Sequence, residues 1–496
     1  MSDDREKGSQ NGEGSHDEGL LDMPPDPDAH LSPEEKAEID RKLLWKLDLK
    51  LLPWLCFLYL LAFLDRTNIG NAKIAGLGKE LGLTTASYNA TLTIFFVSYA
   101  LFEPVTNVLL KQWRPSVFIP IIMVAWGASM LGMGFVTNWS GLMAARWFLG
   151  LAEAGLFPGV NYYLSCWYRR SEFGIRAAIF FSAAALSGSF GGLLAAGIEQ
   201  MDGVANIAGW AWIFILEGLL TVIIGIISFW MVYDFPDEAT FLSAQDRIRV
   251  IRRLKLDQQA SANHEKFQSK YLWQAFADWK MWLGMMIYAG CDMPLYAFSL
   301  FLPTIIQDLG WNTSIVRSQL MSVPPYAIAA LFTVVIGFVA DRTRARGMCN
   351  IIVSLLGVAG FSMMLGSEDA AVRYAGTFLG ALGIYPCISN TITWMANNTE
   401  GVYKRGVVLG FVIGWGNLNG VVSSNIYINS PFYEGHGTVM AYMALFLFGG
   451  SVLMHVLLKR ENNKRRRGER DYWIAGLTDK EIEALGDRRP DFMYTL

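Results

Sequence analysis

Long apolar segments alternate with short polar ones along this chain of 496 residues. An α-helix rises 1.5 Å per residue, so about 20 apolar residues are needed to cross the roughly 30 Å hydrocarbon core of a bilayer. Twelve segments meet this requirement, at residues 49–74, 87–110, 116–136, 141–164, 174–197, 211–233, 281–306, 318–340, 348–366, 372–397, 406–428 and 438–458. The pattern predicts an all-α polytopic membrane protein with twelve transmembrane helices.

The widest polar stretch between these segments divides them into two groups of six. The predicted domains are a cytoplasmic N-terminal tail with a short amphipathic helix (1–48), an N-terminal six-helix bundle (49–233), a cytoplasmic central loop (234–280), a C-terminal six-helix bundle (281–458) and a basic cytoplasmic C-terminal tail (459–496). Gly155-Leu156-Phe157-Pro158 recurs 228 residues later as Gly383-Ile384-Tyr385-Pro386. Internal duplication of this kind is usual in secondary transporters, whose substrate site lies between the repeats.

Lysine and arginine concentrate in the loops on one side of the predicted spans. With the N-terminus inside, the inner loops carry Lys111, Arg114, Arg169, Arg170, Arg176, Arg342, Arg344, Arg346, Lys404 and Arg405, whereas the outer loops carry Lys73, Lys79, Arg317 and Arg373. The positive-inside rule therefore predicts that both tails are cytoplasmic. We expect a multi-pass protein of the plasma membrane.

The composition excludes several classes of protein. Charged residues make up 17% of the chain, against about a quarter in soluble proteins, and 53% of the residues are hydrophobic. A formal net charge of -3 provides no general basic field for nucleic acid. The sequence contains no HExxH motif, nucleophile elbow or phosphate-binding loop in a suitable context, so we do not expect an enzyme.

Two charged residues fall inside the first predicted span. The fourteen residues between Lys50 and Asp65 cover only about 21 Å, so the span must continue through Asp65 and Arg66 to about Ile74. The alternative is a span that begins at Leu43 and leaves the charged pair at its outer end. Lys46, Asp48 and Lys50 would then lie in the membrane, which makes this start the less favourable one.

The fourth span contains Arg146 and Glu153, two helical turns apart on one face. Each unpaired charge at the centre of a spanning helix costs about 2.5–3.5 kcal/mol on insertion scales. Such residues are retained where they pair, are hydrated or have a function. A purely structural ion pair between the first and fourth spans is the alternative, but stability alone is a weak reason to keep a buried pair.

Other polar residues in the spans are less specific candidates. Residues suited to line the wall of a substrate site opposite the charges are Tyr288, Tyr296, Asn390, Trp394 and Asn417. Glu217 and Asp292 are intramembrane acids, and Glu103 lies near the inner end of the second span, where it either holds the adjacent loop or carries a proton. Small residues four positions apart, Gly188 and Gly192 in the fifth span and Gly406, Gly410 and Gly414 in the eleventh, predict close helix packing.

The loop after the eighth span has a distinctive G-x-x-x-D-R-x-R-x-R spacing. Its members are Gly337, Asp341, Arg342, Arg344 and Arg346. Glycine permits close helix approach, aspartate can cap a neighbouring helix, and the arginines can pair with acids. We interpret these residues, with Glu103, as a gating or structural element; a plain positive loop is the alternative.

That loop resembles the signature of the major facilitator superfamily, and the layout of two groups of six spans fits this family along nearly the whole chain. More specifically, the segments LDRTNIGNAKIAGL, RWFLGLAEAGLFPGV, CWYRR and DFPDEATFLS are similar to those of the fungal allantoate and nicotinate permeases, in the anion:cation symporter branch. The resemblance implies proton-coupled uptake of a small organic anion by alternating access. It also implies that Asp65 and Glu153 couple protons and that Arg66 binds the carboxylate of the substrate. From its position in the fourth span, we expect Arg146 to belong to the same substrate site and to form an ion pair with the ionised acids.

Two other functions remain open at this level. A metabolite exporter or antiporter would use the same charges in the reverse direction, and a nutrient sensor would bind the ligand without transporting it. In each case we expect a monomer whose partners are a small organic anion, protons and the lipid bilayer. No cofactor other than the proton gradient, no metal and no nucleic acid is expected.

Overall fold

The structure is a computed structural model that describes residues 24–256, 269–309, 311, 314–428, 430–478, 482 and 485–496. In this part of the chain all regular secondary structure is helical, and no strand is present. The main helices are α1 (Pro33–Ile74), α2 (Thr85–Gln112), α3 (Pro115–Met133), α4 (Trp139–Glu153), α5 (Leu156–Ser165), α6 (Arg170–Ile198), α7 (Gly209–Met231), α8 (Ala244–Leu256), α9 (Ser269–Phe276), α10 (Trp279–Gln307), α11 (Ile315–Thr343), α12 (Arg346–Gly366), α13 (Ala370–Asn397), α14 (Val402–Ser423), α15 (Tyr433–Ala441) and α16 (Gly450–Arg466). A π-helical segment, Tyr442–Gly449, joins the last two.

The first helix is longer than the sequence predicted. Ser32 caps its N-terminus, since its hydroxyl accepts a hydrogen bond from the Glu35 amide while the Glu35 carboxylate accepts one from the Ser32 amide. From there the helix continues for 42 residues to Ile74. The expected short tail helix is therefore continuous with the first span, and Asp65 and Arg66 lie inside that span rather than at its end.

The predicted apolar segments agree with the helices. Among the described residues, nine helical stretches are long and apolar enough to cross a membrane. The predicted second, fourth and tenth spans coincide with α2, with α4 followed by α5, and with α13, which are not among the nine. The all-α class is confirmed, and the number of twelve spans stays a prediction.

The helices before and after the central segment form two groups that meet along a long interface. Within a group the helices approach closely where glycines cross: a β-carbon on Gly383 would lie 2.3 Å from the α-carbon of Gly357. Between the groups, α6 packs against α11, α1 against α10 and α2 against α14. We call the end of the molecule that carries Pro33, α8 and the C-terminal segment the tail face, and the opposite end the far face.

Candidate substrate site

A small cavity lies between the two groups of helices, near the middle of α1 and α10. Its wall consists largely of aromatic rings, with a few polar groups among them: Tyr59, Arg66, Tyr99, Phe157, Phe181, Tyr288, Asp292, Leu295, Tyr296 and Asn417. Its volume is about 10 Å³, which is the lower limit for a single water molecule. This conformation has no room for an organic substrate.

The guanidinium of Arg66 forms the polar centre of this wall. Its Nε and Nη2 atoms donate to the same carboxylate oxygen of Glu153, at 3.0 and 2.6 Å. Both side chains are buried, at 3% and 1% exposure, and the second oxygen of Glu153 has no hydrogen-bond partner among the described residues. The ion pair links the first span to the fourth and leaves half of the carboxylate unpaired.

The third side of the guanidinium faces the other group of helices. Its Nη1 donates to the hydroxyl of Tyr296 at 2.9 Å, and that hydroxyl donates to Asn417 at 2.7 Å. The amide of Asn417 in turn donates to Glu103 at 2.8 Å. One chain of hydrogen bonds thus runs from Glu153 through both groups of helices and back to Glu103.

Aromatic rings enclose the arginine. The guanidinium carbon lies 4.9 Å from the ring centre of Tyr99, 5.4 Å from that of Phe95 and 5.5 Å from those of Phe63 and Tyr296. A cation over an aromatic face is stabilised by about 2 kcal/mol when it is desolvated. The rings therefore help to retain a charge here and exclude water from it.

Asp65, although adjacent to Arg66 in sequence, points into the first group of helices. Its carboxylate accepts hydrogen bonds from Trp126 at 3.1 Å and from Thr221 at 2.8 Å. Glu217 lies one helical turn from Thr221 on α7, is 2% exposed, and has no partner for either oxygen among the described residues. Two buried acids thus occupy a second polar cluster behind the cavity wall.

Arg146 does not hold either carboxylate, contrary to the expected ion pair. Its Nε donates to the carbonyl of Thr91 at 3.3 Å, and its guanidinium lies 5.0 Å from the ring centre of Phe95. Both guanidinium groups pack on the ring of Phe95, and Nη1 of Arg146 donates to the backbone carbonyl of Arg66 at 3.5 Å. Arg146 therefore supports the site from behind and does not line the cavity.

Two predicted wall residues lie outside the cavity, nearer the tail face. Asn390 accepts a hydrogen bond from Arg346 at 3.1 Å and donates to the backbone of that arginine. Trp394 donates to the carbonyl of Thr495 in the C-terminal segment at 2.9 Å. Both lie on α13, in the tenth predicted span, but neither lines the cavity. Tyr288, Tyr296 and Asn417 do line it.

Several residues of the site were missed from sequence. Tyr59 lies two turns before Arg66 on the same face of α1, and Tyr99 lies one turn before Glu103 on α2. The helical spacing of these tyrosines from Arg66 and Glu103 was the feature of the sequence that could have identified them as site residues. Glu103 itself does not hold a loop, because it is 3% exposed and bonded to Asn417 across the interface.

Close contacts seal the cavity toward both faces. On the far side, a β-carbon on Gly70 would lie 2.5 Å from the carbonyl oxygen of Leu300, and Asn425 donates to Thr93 at 2.9 Å. On the tail side, a β-carbon on Gly337 would lie 2.4 Å from the side chain of Ala178. The two groups of helices therefore meet above and below the cavity.

The loop after α11 contributes to the seal on the tail side. Arg346 pairs with Asp341, and a β-carbon on Gly174 of α6 would collide with both side chains. Arg342 and Arg344 are exposed, and Arg344 adopts a left-handed backbone conformation with φ of 54°. Gly337, Asp341 and Arg346 thus form an interface between the groups, whereas the other two arginines face outward.

Two groups of long apolar helices, a buried charged site between them and contacts that close this site on both sides are the arrangement typical of secondary transporters. Residues 55–424 match the Major Facilitator Superfamily. The chain is 33% identical over 470 residues to the high-affinity nicotinic acid transporter of Saccharomyces cerevisiae, with 93% of this chain and 86% of that protein covered. It is 36% identical over 438 residues to an uncharacterised transporter of Schizosaccharomyces pombe, covering 87% and 86% of the two chains.

The fold also matches solved structures. A bacterial homologue of the human lysosomal transporter Spinster, in an inward-facing and unoccupied conformation, superposes with a TM-score of 0.59 at 14% identity over 81% of this chain and 95% of that chain. The chain therefore belongs to the Major Facilitator Superfamily and is an integral membrane transporter. The family consists of transporters, so the expectation that the protein is not an enzyme is confirmed.

Proposed function

We propose that the protein imports a small organic carboxylate together with a proton across the plasma membrane, with its tail face in the cytoplasm. The observation that supports this most is the position of Arg66: its guanidinium lines the cavity and is shared between Glu153 of one group of helices and Tyr296 of the other. The basic loops and segments at the tail face support the orientation.

Coupling follows from competition for one cation. A carboxylate substrate needs the planar donor edge of Arg66, which the ionised Glu153 occupies. Protonation removes the charge of Glu153 and releases that edge, so the substrate and the proton bind together. Loss of the proton on the cytoplasmic side restores the ion pair and expels the anion. The unpaired oxygen of Glu153 is the position at which the proton would bind.

Opening must accompany binding, because the closed cavity holds about one water molecule. Separation of the two groups would break the bond between Arg66 and Tyr296 and expose the donor that the substrate then takes. The same hydroxyl would close over the bound anion. In alternating access, the same chain of hydrogen bonds would thus hold the two groups of helices together in the closed state and bind the substrate in the open state.

The aromatic wall favours a flat, ring-containing acid. Tyr59, Tyr99, Phe157, Phe181 and Tyr288 surround the cavity, and planar rings stack on such faces. The relationship to a nicotinic acid transporter agrees with this chemistry. We therefore propose nicotinate or a similar aromatic monocarboxylate as the first substrate to test, with allantoate as the non-aromatic comparison.

The test is uptake of labelled nicotinate into cells that express the protein, with labelled nicotinamide as the neutral control and a protonophore to collapse the gradient. We expect accumulation of the acid, little of the amide, and loss of accumulation with the protonophore. If no carboxylate accumulates despite surface expression, while preloaded cells export the acid, then the protein is an exporter and the proposed direction is wrong.

A second measurement isolates the proton. Glu153→Gln mimics the protonated side chain, so we expect it to lose uptake driven by the pH gradient but to retain exchange of labelled for unlabelled substrate. Glu368→Gln is the matched control, because this exposed acid lies in the loop before α13, away from the cavity. Full gradient-driven uptake by Glu153→Gln would exclude Glu153 as the coupling acid.

A further inference from the structure

A second, much larger cavity opens at the tail face. It lies between the first turn of α10, the last three turns of α16 and the C-terminal segment that folds back beneath them, and its volume is about 970 Å³. This size is at the upper end of ligand-binding cavities in proteins. Neither the transport mechanism nor the comparisons assign a role to it.

The acids of this cavity are already neutralised. Asp487 bonds to Lys280 and, at 2.7 Å, to Lys404. Glu461 accepts hydrogen bonds from Arg470 at 2.7 and 2.9 Å. The remaining two carboxylates, Asp278 and Glu469, also lie within 4 Å of a cation.

The cations of the cavity are in excess. Seven lysine and arginine side chains line it, against four carboxylates. Arg460, Lys464 and Arg488 are exposed and have no carboxylate partner among the described residues. Because the first two lie four residues apart on α16, they are on one face of that helix. The cavity therefore presents three uncompensated positive charges that converge from a helix and from the C-terminal segment.

The cavity is apolar at the end that lies toward the membrane. Leu457 lies two turns before Lys464 on α16, about 10 Å along the helix axis, and Trp279, the first residue of α10, lines the same cavity. Trp279 and the neighbouring Trp282 are 43% and 50% exposed, which is typical of tryptophan at a membrane interface. An occupant of this cavity would meet apolar groups at membrane depth and positive charges at the level of the headgroups.

We propose that this cavity binds the phosphorylated headgroup of an anionic phospholipid from the leaflet at the tail face, the cytoplasmic leaflet in the proposed orientation. Arg460, Lys464 and Arg488 contact the phosphate groups, while Trp279 and Leu457 contact the first carbons of the acyl chains. A soluble phosphate ester would satisfy the cations but not the apolar end of the cavity.

The test measures binding to the full-length protein in detergent by native mass spectrometry. The probes are phosphatidylinositol 4-phosphate, phosphatidylcholine, and the deacylated headgroup glycerophosphoinositol 4-phosphate. We expect the anionic lipid to bind and phosphatidylcholine not to bind. Equal binding of the deacylated headgroup and the intact lipid would overturn the assignment to a membrane lipid.

The double variant Arg460→Gln/Lys464→Gln removes two of the unpaired charges. Each basic residue at a membrane surface strengthens the binding of an anionic lipid about fivefold. Loss of two such residues should therefore weaken binding roughly 30-fold. The matched control is Lys459→Gln/Arg466→Gln, which removes the same charge from the same helix at exposed positions that do not line the cavity. It should bind the lipid as the wild type does.

The four side chains make no hydrogen bond or ion pair with the described residues, so both double variants should fold. A single symmetric peak in size-exclusion chromatography would confirm this. Arg488→Gln, on a different element of the cavity, should weaken binding in the same direction. If the two double variants lose equal affinity, or if neither loses any, then the attraction is a general property of the basic helix and the proposed site is wrong.

Discussion

A close contact between Gly70 and a helix backbone at the far face yields a specific prediction. Gly70 of α1 faces the backbone of α10, where an added β-carbon would lie 2.5 Å from the carbonyl oxygen of Leu300. Ordinary contacts of this kind begin at 3.4 Å, so Gly70→Ala requires the two helices to separate by about 0.9 Å. A carbonyl in the middle of a helix cannot move aside as a side chain would.

The cost of such overpacking is about 1–3 kcal/mol, which disfavours the closed state by roughly 5- to 150-fold. The state that is open at the far face does not contain the contact and should be little affected. We therefore expect Gly70→Ala to bind substrate from the far side with near-normal affinity but to transport it 5- to 150-fold more slowly. Initial uptake rates, normalised to surface expression, and equilibrium binding of the same labelled acid separate the two effects.

Gly78→Ala is the matched control. Gly78 lies in the short helix Leu77–Glu80 directly after α1, and a β-carbon there would meet nothing within 4 Å. It should transport at the wild-type rate. Wild-type transport by Gly70→Ala, or an equal loss in both variants, would refute the reasoning that this contact closes the far face.

Three further predictions follow from single side chains. Tyr296→Phe removes a hydrogen bond to the charged Arg66, worth about 1.5–3 kcal/mol, and should slow uptake at least tenfold, whereas Tyr288→Phe should not. Arg146→Lys should lower the free energy of unfolding by about 1 kcal/mol in thermal denaturation while leaving the proton-to-substrate ratio unchanged, because Arg146 binds two backbone carbonyls and no carboxylate. Asp487→Asn leaves two buried lysines without a full partner and should destabilise the detergent-solubilised protein by about 3–5 kcal/mol. Burial raises the pKa of the Asp487 carboxyl, but the ammonium groups of Lys280 and Lys404 together lower it by more. The pKa of Asp487 in the folded protein therefore lies below the ordinary value. The stabilisation by Asp487 is therefore complete above about pH 4 and is lost as the pH falls through the folded pKa, so the difference in melting temperature between wild type and variant should narrow only in that acidic range.

The sequence was sufficient to predict that the charged residues of the first span lie within the membrane, but not to predict where their side chains point. The length of the first span required Asp65 and Arg66 to lie in the membrane, and both are buried there. Successive side chains on a helix diverge by about 100°, however, so one of the two had to face away from the interface. Which one did so depended on Trp126 and Thr221, which arrive from two other helices.

Glycine spacing was an incomplete guide to packing for a similar reason. Gly188 and Gly192 do contact α11, as their spacing predicted, but Gly406, Gly410 and Gly414 have nothing within 4 Å of an added β-carbon. The close contacts of α14 are made instead by Gly416 and Gly420, on another face. Spacing identifies a smooth face on a helix; whether a neighbour lies against that face is decided by the arrangement of the whole bundle.

The small volume of the closed cavity bears on the return half of the transport cycle. A carrier that can close only around its cargo is restricted to exchanging one molecule for another, because the unloaded form cannot reorient. Here both seals form around a space too small for any organic acid. In the proposed mechanism, this closed form is the unloaded intermediate, in which the Arg66–Glu153 pair takes the place of the anion. Such an intermediate permits net accumulation against a concentration gradient, rather than exchange alone.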